Sequence, residues 1–266
     1  MNVAVNGIGL LAPGLPSWKE GRAILAGTTP YLKQLPPEPT ALILPPNERR
    51  RSSEVVRWAM CVAQEAMEQA QVDPRDVATV FASSGGETGV LDQLCTTLAA
   101  PTRMISPTLF HQSVHNTAAG YWGIATACQQ SSTALSCYDC SFVGGLLEAA
   151  SCAGLEHRSV LLVAYDLPPP TPLYAARPIE VGFAVALVLS PDTLPISQAI
   201  ISLTLSDDVS SQASRVESAD LEHMRLTNPA ARALPLLTAI GTRSSQTVRL
   251  ELFDEQWVRI EVSPCP

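Results

Sequence analysis

Charge is sparse in this sequence. Only 16% of its 266 residues are Asp, Glu, Lys or Arg, against roughly 25% in an ordinary globular domain, while 46% are hydrophobic. A chain this apolar does not default to disorder. Its sparse charge suggests a surface partly covered by another subunit. Positive charge is scarcer still: 17 Lys and Arg against 25 Asp and Glu leave a formal net charge of -8. Nucleic acid and anionic membranes are therefore excluded as electrostatic partners, because both require a positive face. Long apolar runs are also missing. No stretch reaches the roughly 20 residues a membrane helix needs. Met1-Asn2-Val3-Ala4 lacks a charged segment leading into an apolar one, so a cytoplasmic location is expected. The seven cysteines are an odd number scattered through apolar segments, which predicts buried free thiols rather than a disulfide framework. Cys137-Tyr138-Asp139-Cys140 is formally a C-x-x-C, but no second such pair accompanies it, so neither a metal nor a cofactor is expected.

What is present is an alternation of strands and helices. The length is room for one large domain or two fused halves. Val3 to Leu11 reads as a first strand around Gly7 and Gly9, and Pro36 to Pro46 as an irregular excursion. Val55, Val56, Ala59, Met60, Val62, Ala63, Ala66, Met67 and Ala70 fall at helical spacing, opened by Ser52 or Ser53 and closed before Asp73-Pro74. Val77 to Ala82 is a short apolar run ending at Ser83-Ser84-Gly85-Gly86, as a buried parallel strand does when it meets a turn. Further on, helices are predicted at Gly89–Leu98, Thr117–Cys128 and Phe142–Cys152, with a loop at Ser106–Asn116. Strands are predicted at Thr133–Tyr138, Ser159–Ala164 and Val181–Leu189. Beyond Pro191 there is room only for a strand at Ile200–Leu205, a helix at Pro229–Ile240 and a hairpin of Val248–Phe253 with Trp257–Val262. The order is that of an α/β fold.

Val72-Asp73-Pro74-Arg75-Asp76-Val77, the glycine turn, Ile105-Ser106-Pro107 and Asn116-Thr117-Ala118-Ala119-Gly120 follow one another in this order. Ser132-Thr133-Ala134-Leu135-Ser136 comes next, and then a helix carrying Leu147-Glu148-Ala149. In this the chain resembles the β-ketoacyl synthases, and within them the short chain-length factors of aryl polyene and xanthomonadin-type pigment pathways. The resemblance implies a thiolase-like layered fold (αβαβα). Residues 1–190 would be a complete ketosynthase-like N-terminal half, and residues 191–266 a strongly shortened C-terminal half packed into the same unit. It also implies a non-catalytic role in type II polyketide or aryl polyene synthesis. The chain would form a heterodimer with an active ketosynthase, shape its acyl tunnel, and work with chains carried on acyl carrier protein.

A ketosynthase needs a cysteine at a strand-to-helix elbow and two histidines from its second half. Carrying the family's spacing forward from Ala119-Gly120 puts Asp139 in the nucleophile slot, and a carboxylate there is a poor acyl carrier. Cys140 comes one place later, a rotation of roughly 100° on a helix, and is expected to point away. It stays open as a displaced nucleophile with His115 or His111 as base, which would make the chain a compact acyltransferase or condensing enzyme. A homodimeric acyl-binding protein is a third reading. Beyond Pro191 the only histidine is His223. The resemblance matches Leu109 and Val114 to positions lining the acyl tunnel, although ordinary core packing explains either one alone. Glu48-Arg49-Arg50-Arg51 is the one basic cluster. Its arginines are candidates to meet an acidic carrier protein, or form a solvated run ahead of a helix. His111 and His115 read as hydrogen-bonded structural residues on a loop. The glycines at 85, 86 and 89 read as a tight turn, since no Lys-Ser/Thr follows them as in a phosphate loop.

Overall fold

Two glycines set the first packing contact of the fold. In a computed structural model of the chain, which describes residues 1–207, 212–253 and 256–265, β1 (Asn2–Leu11) is buried from Val3 onward. It is followed by α1 (Trp18–Leu25), the short α2 (Pro46–Arg51) and α3 (Glu54–Ala70). A Cβ on Gly7 or Gly9 would overlap the backbone carbonyl of Ala66 or Val62, so α3 can lie directly on β1 only because both positions lack one. The apolar stripe read from the sequence is the buried face of α3 except for Val55, which is half-buried, and Trp58 joins it. Its first turn is capped by Ser53, whose hydroxyl accepts from the Val56 N–H at 3.1 Å.

The chain continues through β2 (Ala78–Ala82), α4 (Thr88–Ala99), α5 (Pro107–Gln112), α6 (Thr117–Thr126), β3 (Ser132–Leu135), α7 (Ser141–Glu156), β4 (Val160–Asp166), α8 (Thr171–Tyr174) and β5 (Phe183–Ser190). It ends with β6 (Ala199–Ser206), α9 (Ala219–Thr227), α10 (Leu234–Thr242), β7 (Gln246–Glu251) and β8 (Trp257–Pro264). The eight strands form one sheet in the order β3-β2-β4-β5-β1-β6-β8-β7. β2 runs parallel to β3 and β4, and the other neighbours are antiparallel. Alternation along the central strands divides the core in two. Phe81, Leu161, Val163 and Tyr165 face the side covered by α3 and α6, whereas Val80, Leu162, Val185 and Leu187 face α7. The α7 side also takes in Leu234 and Leu237 of α10 and the inward residues Val248, Leu250, Val258 and Ile260 of the terminal hairpin. The opposite face of that hairpin is solvated, with Arg249, Glu251, Arg259 and Glu261 exposed.

Asn228 ties the end of the chain to the central strands. It is buried, its side-chain N–H donates to the carbonyls of Asp166 (3.0 Å) and Val181 (2.8 Å), and its oxygen accepts from the N–H of Ala230 and Ala231. No helix among the described residues is long and apolar enough to cross a membrane.

Several expectations are corrected. The loop expected at Ser106–Asn116 contains α5, because proline is tolerated at the first helical position, where its missing N–H costs nothing. α9 was not anticipated. The helix expected from Pro229 begins as a 3-10 turn at Ala230–Ala233 before α10. The strand expected to reach Tyr138 stops at Leu135. All seven cysteines are free, but only Cys265 is buried; Cys95 is exposed and the other five are half-buried.

Candidate functional site

The elbow between β3 and α7 is a 3-10 turn, Tyr138–Cys140. Ser141 holds it: its hydroxyl accepts from the Cys137 N–H at 3.0 Å and donates to the Tyr138 carbonyl at 2.7 Å. Tyr138 adopts φ +52°, a left-handed backbone that is strained for a residue with a side chain. The Arg177 guanidinium lies 3.8 Å from the centre of the Tyr138 ring and 2.6 Å from Asp139 Oδ1. One arginine thus stacks on the residue before Asp139 and ion-pairs with Asp139 itself.

Cys140 borders the same cavity as Asp139, a volume of about 280 Å³ whose wall also includes Arg225, Arg232, Leu250, Glu251 and Leu252. Asp139 and Cys140 share this wall although they are one residue apart, because both lie in the 3-10 turn ahead of α7, where the segment at the end of β7 closes over them. The Cys140 thiol donates to the Leu252 carbonyl at 3.0 Å. Burial, reinforced by the Glu251 charge and only partly opposed by Arg232, pushes its pKa up to about 11. Arg225 is buried and fully engaged in a two-pronged pair with Glu222, at 2.8 and 2.7 Å. The arrangement keeps a protonated thiol and an ion-paired carboxylate at the elbow. Nucleophilic attack would need a thiolate.

No histidine completes the site among the described residues. His115 Nε2–H donates to the Ser83 carbonyl at 3.0 Å, and the ring packs against Gly86. It borders a different cavity, between α6 and β3. His111 is exposed at the end of α5. His223 is exposed and 2.9 Å from Glu180.

The glycine turn is occupied from within. Asp166, at the end of β4, is 3% exposed, and its Oδ1 accepts from the hydroxyls of Ser83 and Ser84 and from the N–H groups of Ser84 and Gly85. Burial still dominates and pushes its carboxyl up to about 6. The turn holds a carboxylate of the protein itself where a phosphate loop would hold its ligand.

A third cavity, about 500 Å³, lies beside Leu109 and is also lined by Arg51, Ser53, Val55, Glu87 and Gln112. Glu87 is 4% exposed, receives the Ser53 hydroxyl at 2.7 Å, and has its carboxyl pushed up to about 7 by burial. Val114 is not on this wall; it is half exposed on the surface. The three arginines do not form one surface. Arg49 donates to the carbonyls of Leu42 and Leu44 at 3.1 and 3.0 Å and so braces its own loop. Arg50 is exposed and bonds Asn47, and Arg51 is exposed at the mouth of the cavity. Arg177, Asp166 and Glu87 belong to no motif. The sequence-level signal nearest to one of them is that Asp166 closes an apolar strand.

The sheet ends at β3 on one edge and at β7 on the other; the β3 edge is flanked by helices. On this side, α6 borders β3 and α4 packs on α5, and these helices and the loop between them leave Leu91, Leu98, Met104, Phe110 and Ile124 exposed. An unpaired strand edge flanked by exposed apolar side chains is a surface suited to another chain.

Residues 26–257 match the family described as β-ketoacyl synthase, N-terminal domain. Among solved structures, the chain is similar to a ketosynthase in complex with its chain length factor from Xenorhabdus doucetiae. The identity is 24%, the match covers 98% of this chain and 99% of that one, and the TM-score is 0.73. It is similar over 100% of both chains to the ishigamide ketosynthase/chain length factor, at 10% identity and a TM-score of 0.76. A β-ketoacyl synthase from Burkholderia phymatum aligns with 90% of this chain and 70% of its own, at 16% identity and a TM-score of 0.61. No curated protein matches the chain. At these identities the structures speak for the fold, which is the thiolase-like α/β fold expected.

Proposed function

The chain belongs to the β-ketoacyl synthase family, and on that premise we propose that it is a non-catalytic chain-length factor. In this reading it pairs with an active ketosynthase in type II polyketide or aryl polyene synthesis and limits how long the acyl chain on the carrier protein can grow. The observation that carries the reading is the state of the elbow. Asp139 is ion-paired to Arg177, and the neighbouring thiol of Cys140 is hydrogen-bonded to a carbonyl and held protonated. A subunit without chemistry of its own can still stabilise a partner and wall its pocket. Residues 1–190 supply the ketosynthase-like half and the β3 edge for that partner, and residues 191–266 a shortened half that packs behind the elbow. Leu109 belongs to the tunnel wall, while Val114, exposed beside α6, belongs to the subunit contact or its tunnel mouth. Arg50 and Arg51 are the members of the basic cluster free to meet an acidic carrier protein.

Co-expression with a ketosynthase, followed by size determination and a condensation assay with malonyl-loaded carrier protein, tests this. The expected result is a one-to-one complex whose activity disappears with the partner's nucleophilic cysteine and survives Cys140→Ala. A chain that ignores the ketosynthase and forms its own acyl-enzyme at Cys140 would overturn the reading in favour of a condensing enzyme. A stable self-complex with no affinity for a ketosynthase would favour an acyl-binding homodimer.

A further inference from the structure

Asn6 lies where the β1–β5 register shifts between Val5 and Gly7, and it is 1% exposed. A bulge of this kind takes a side chain out of the regular alternation of its strand. The Asn6 oxygen accepts the Ser197 hydroxyl at 2.6 Å, but its Nδ2 is buried and has no hydrogen-bond partner among the described residues. A neighbouring amide is fully used: Gln198 donates to Gln69 Oε1 at 2.7 Å and accepts from the Trp18 indole N–H at 2.8 Å. A buried donor without a partner is costly, and each one in a native fold calls for a reason. Asn6, Trp18 and Gln198 belong to the wall of an open cavity of about 520 Å³ on which every charged residue is a cation: Lys19, Arg22 and Arg243. None of the three is in an ion pair among the described residues. Glu65, close to the start of α1, is taken up by the N–H groups of Leu10, Trp18 and Lys19 and is not on this wall. Lys19 and Arg22 are three apart on α1 and share a face. The stem of Arg22 lies over Gly241, where an added Cβ would come within 3.5 Å of it, and Arg243 caps the same helix, α10. In a chain with 25 acidic residues against 17 basic ones, three cations on one wall without a carboxylate repel one another until an anion joins them.

We propose that this cavity binds a phosphate group, free or carried as a monoester on a small molecule, through Lys19, Arg22 and Arg243, with the Asn6 amide as a neutral donor. Two guanidinium forks match the oxygens of a phosphate and the lysine adds a point charge. A dianion answers three cations better than a monocarboxylate does. The volume falls within the roughly 300–1,000 Å³ of small-molecule sites, which leaves room for the rest of an ester. The site is separate from the elbow. Val5 is level with Leu189 and, through it, with Val160 at the start of β4, whereas the elbow follows Leu135, which is level with Ala82 and Ala164 near the other end of the sheet. The inference therefore does not depend on the chain-length-factor reading.

The test titrates inorganic phosphate, glycerol 3-phosphate and acetate calorimetrically into the full chain, at low salt and at a pH of about 8, where phosphate is a dianion. Both phosphates are expected to bind saturably at one site, and acetate at least about 10-fold more weakly. Arg22→Gln and Arg243→Gln alter exposed side chains, so the fold should tolerate them, and each should weaken phosphate roughly 10-fold. Arg259→Gln, on the solvated face of the terminal hairpin, should leave binding unchanged. Asn6→Asp keeps the shape but puts a charge of the wrong sign on the wall, and should weaken phosphate further than either arginine change; where that variant does not fold, the arginine variants decide. Tighter binding of the ester would show that the phosphate arrives on a small molecule, and equal binding that free phosphate suffices; either result supports the site. No binding of either phosphate up to about 10 mM, acetate binding as tightly as phosphate, or phosphate binding that survives both arginine changes would overturn the inference.

Discussion

Cys140 should be the thiol least available to electrophiles relative to its access to solvent, and the size of the effect follows from its surroundings. With its pKa at about 11, the thiolate fraction at pH 7.5 is about 3 in 10,000, against about one in ten for an unperturbed thiol near 8.5. That is a deficit of roughly 300-fold. A more basic thiolate is intrinsically the better nucleophile, which returns about one order of magnitude, so the net suppression is about 30-fold. The hydrogen bond to the Leu252 carbonyl acts in the same sense, since it is made only by the protonated form. The assay is timed alkylation with iodoacetamide on the native protein, quenched and read cysteine by cysteine by mass spectrometry. Labelling in denaturant supplies the intrinsic rates. The exposed Cys95 should be modified first, and Cys140 should lag an unperturbed thiol by at least an order of magnitude despite bordering a cavity. Labelling of Cys140 ahead of Cys95, or its acylation by a thioester probe, would refute both the electrostatic reasoning and the assignment of the elbow as silent.

Gly9→Ala should lower the unfolding free energy by about 2–3 kcal/mol or more in urea titration, because the added methyl meets the α3 backbone at Val62, which cannot swing aside as a side chain would; unchanged stability would mean that α3 does not rest on β1 as described. Glu87 makes the stability depend on pH in a definite direction. Its carboxyl sits at about 7 in the fold and near 4.3 in an unfolded chain, so the folded state binds the extra proton between those values and stability falls as pH rises through that window. Relative to Glu87→Gln, the unaltered protein should lose on the order of 2 kcal/mol between pH 5 and pH 8, and parallel curves for the two proteins would show that the carboxyl is not buried as described.

How much of this was legible in the sequence depends on the range of the interactions concerned. α3 shows itself through nine apolar residues at one spacing and a serine cap, all local, and β2 and β4 through short apolar runs that end in turns. α5 hides because six residues are too few to display a period, and its proline reads first as a breaker. α9 hides because only Leu221 and Met224 of its apolar residues are buried, while its third buried residue, Arg225, is kept there by Glu222. The elbow was legible as the turn between the strand and the helix expected on either side of Asp139 and Cys140. What pairs with Asp139 was not, since Arg177 arrives from beyond β4 on a proline-rich segment without a pattern. Glu87 illustrates the same limit: within Gly85-Gly86-Glu87-Thr88-Gly89 it looks like a surface residue of a turn, and its burial becomes visible only when Ser53, 34 residues earlier, is placed against it.

On the proposed reading, the silence of the site is a property of the packing more than of one substituted residue. The end of β7 lies over the elbow, with Leu250, Glu251 and Leu252 on the cavity wall and the Leu252 carbonyl on the Cys140 thiol. Arg232, from the turn ahead of α10, borders the same cavity 3.5 Å from Glu251. These contacts come from the part of the chain in which the family resemblance implies longer loops and two catalytic histidines. On that reading, the shortening implied by the resemblance would have two linked effects: a single histidine beyond Pro191, and a β-strand end with a charged pair in the space beside the nucleophile position. A thiol placed at position 139 would meet the Arg177 guanidinium, which favours a thiolate, but no histidine among the described residues lines its cavity, so on the proposed reading it is the missing base more than the residue at 139 that keeps the elbow silent.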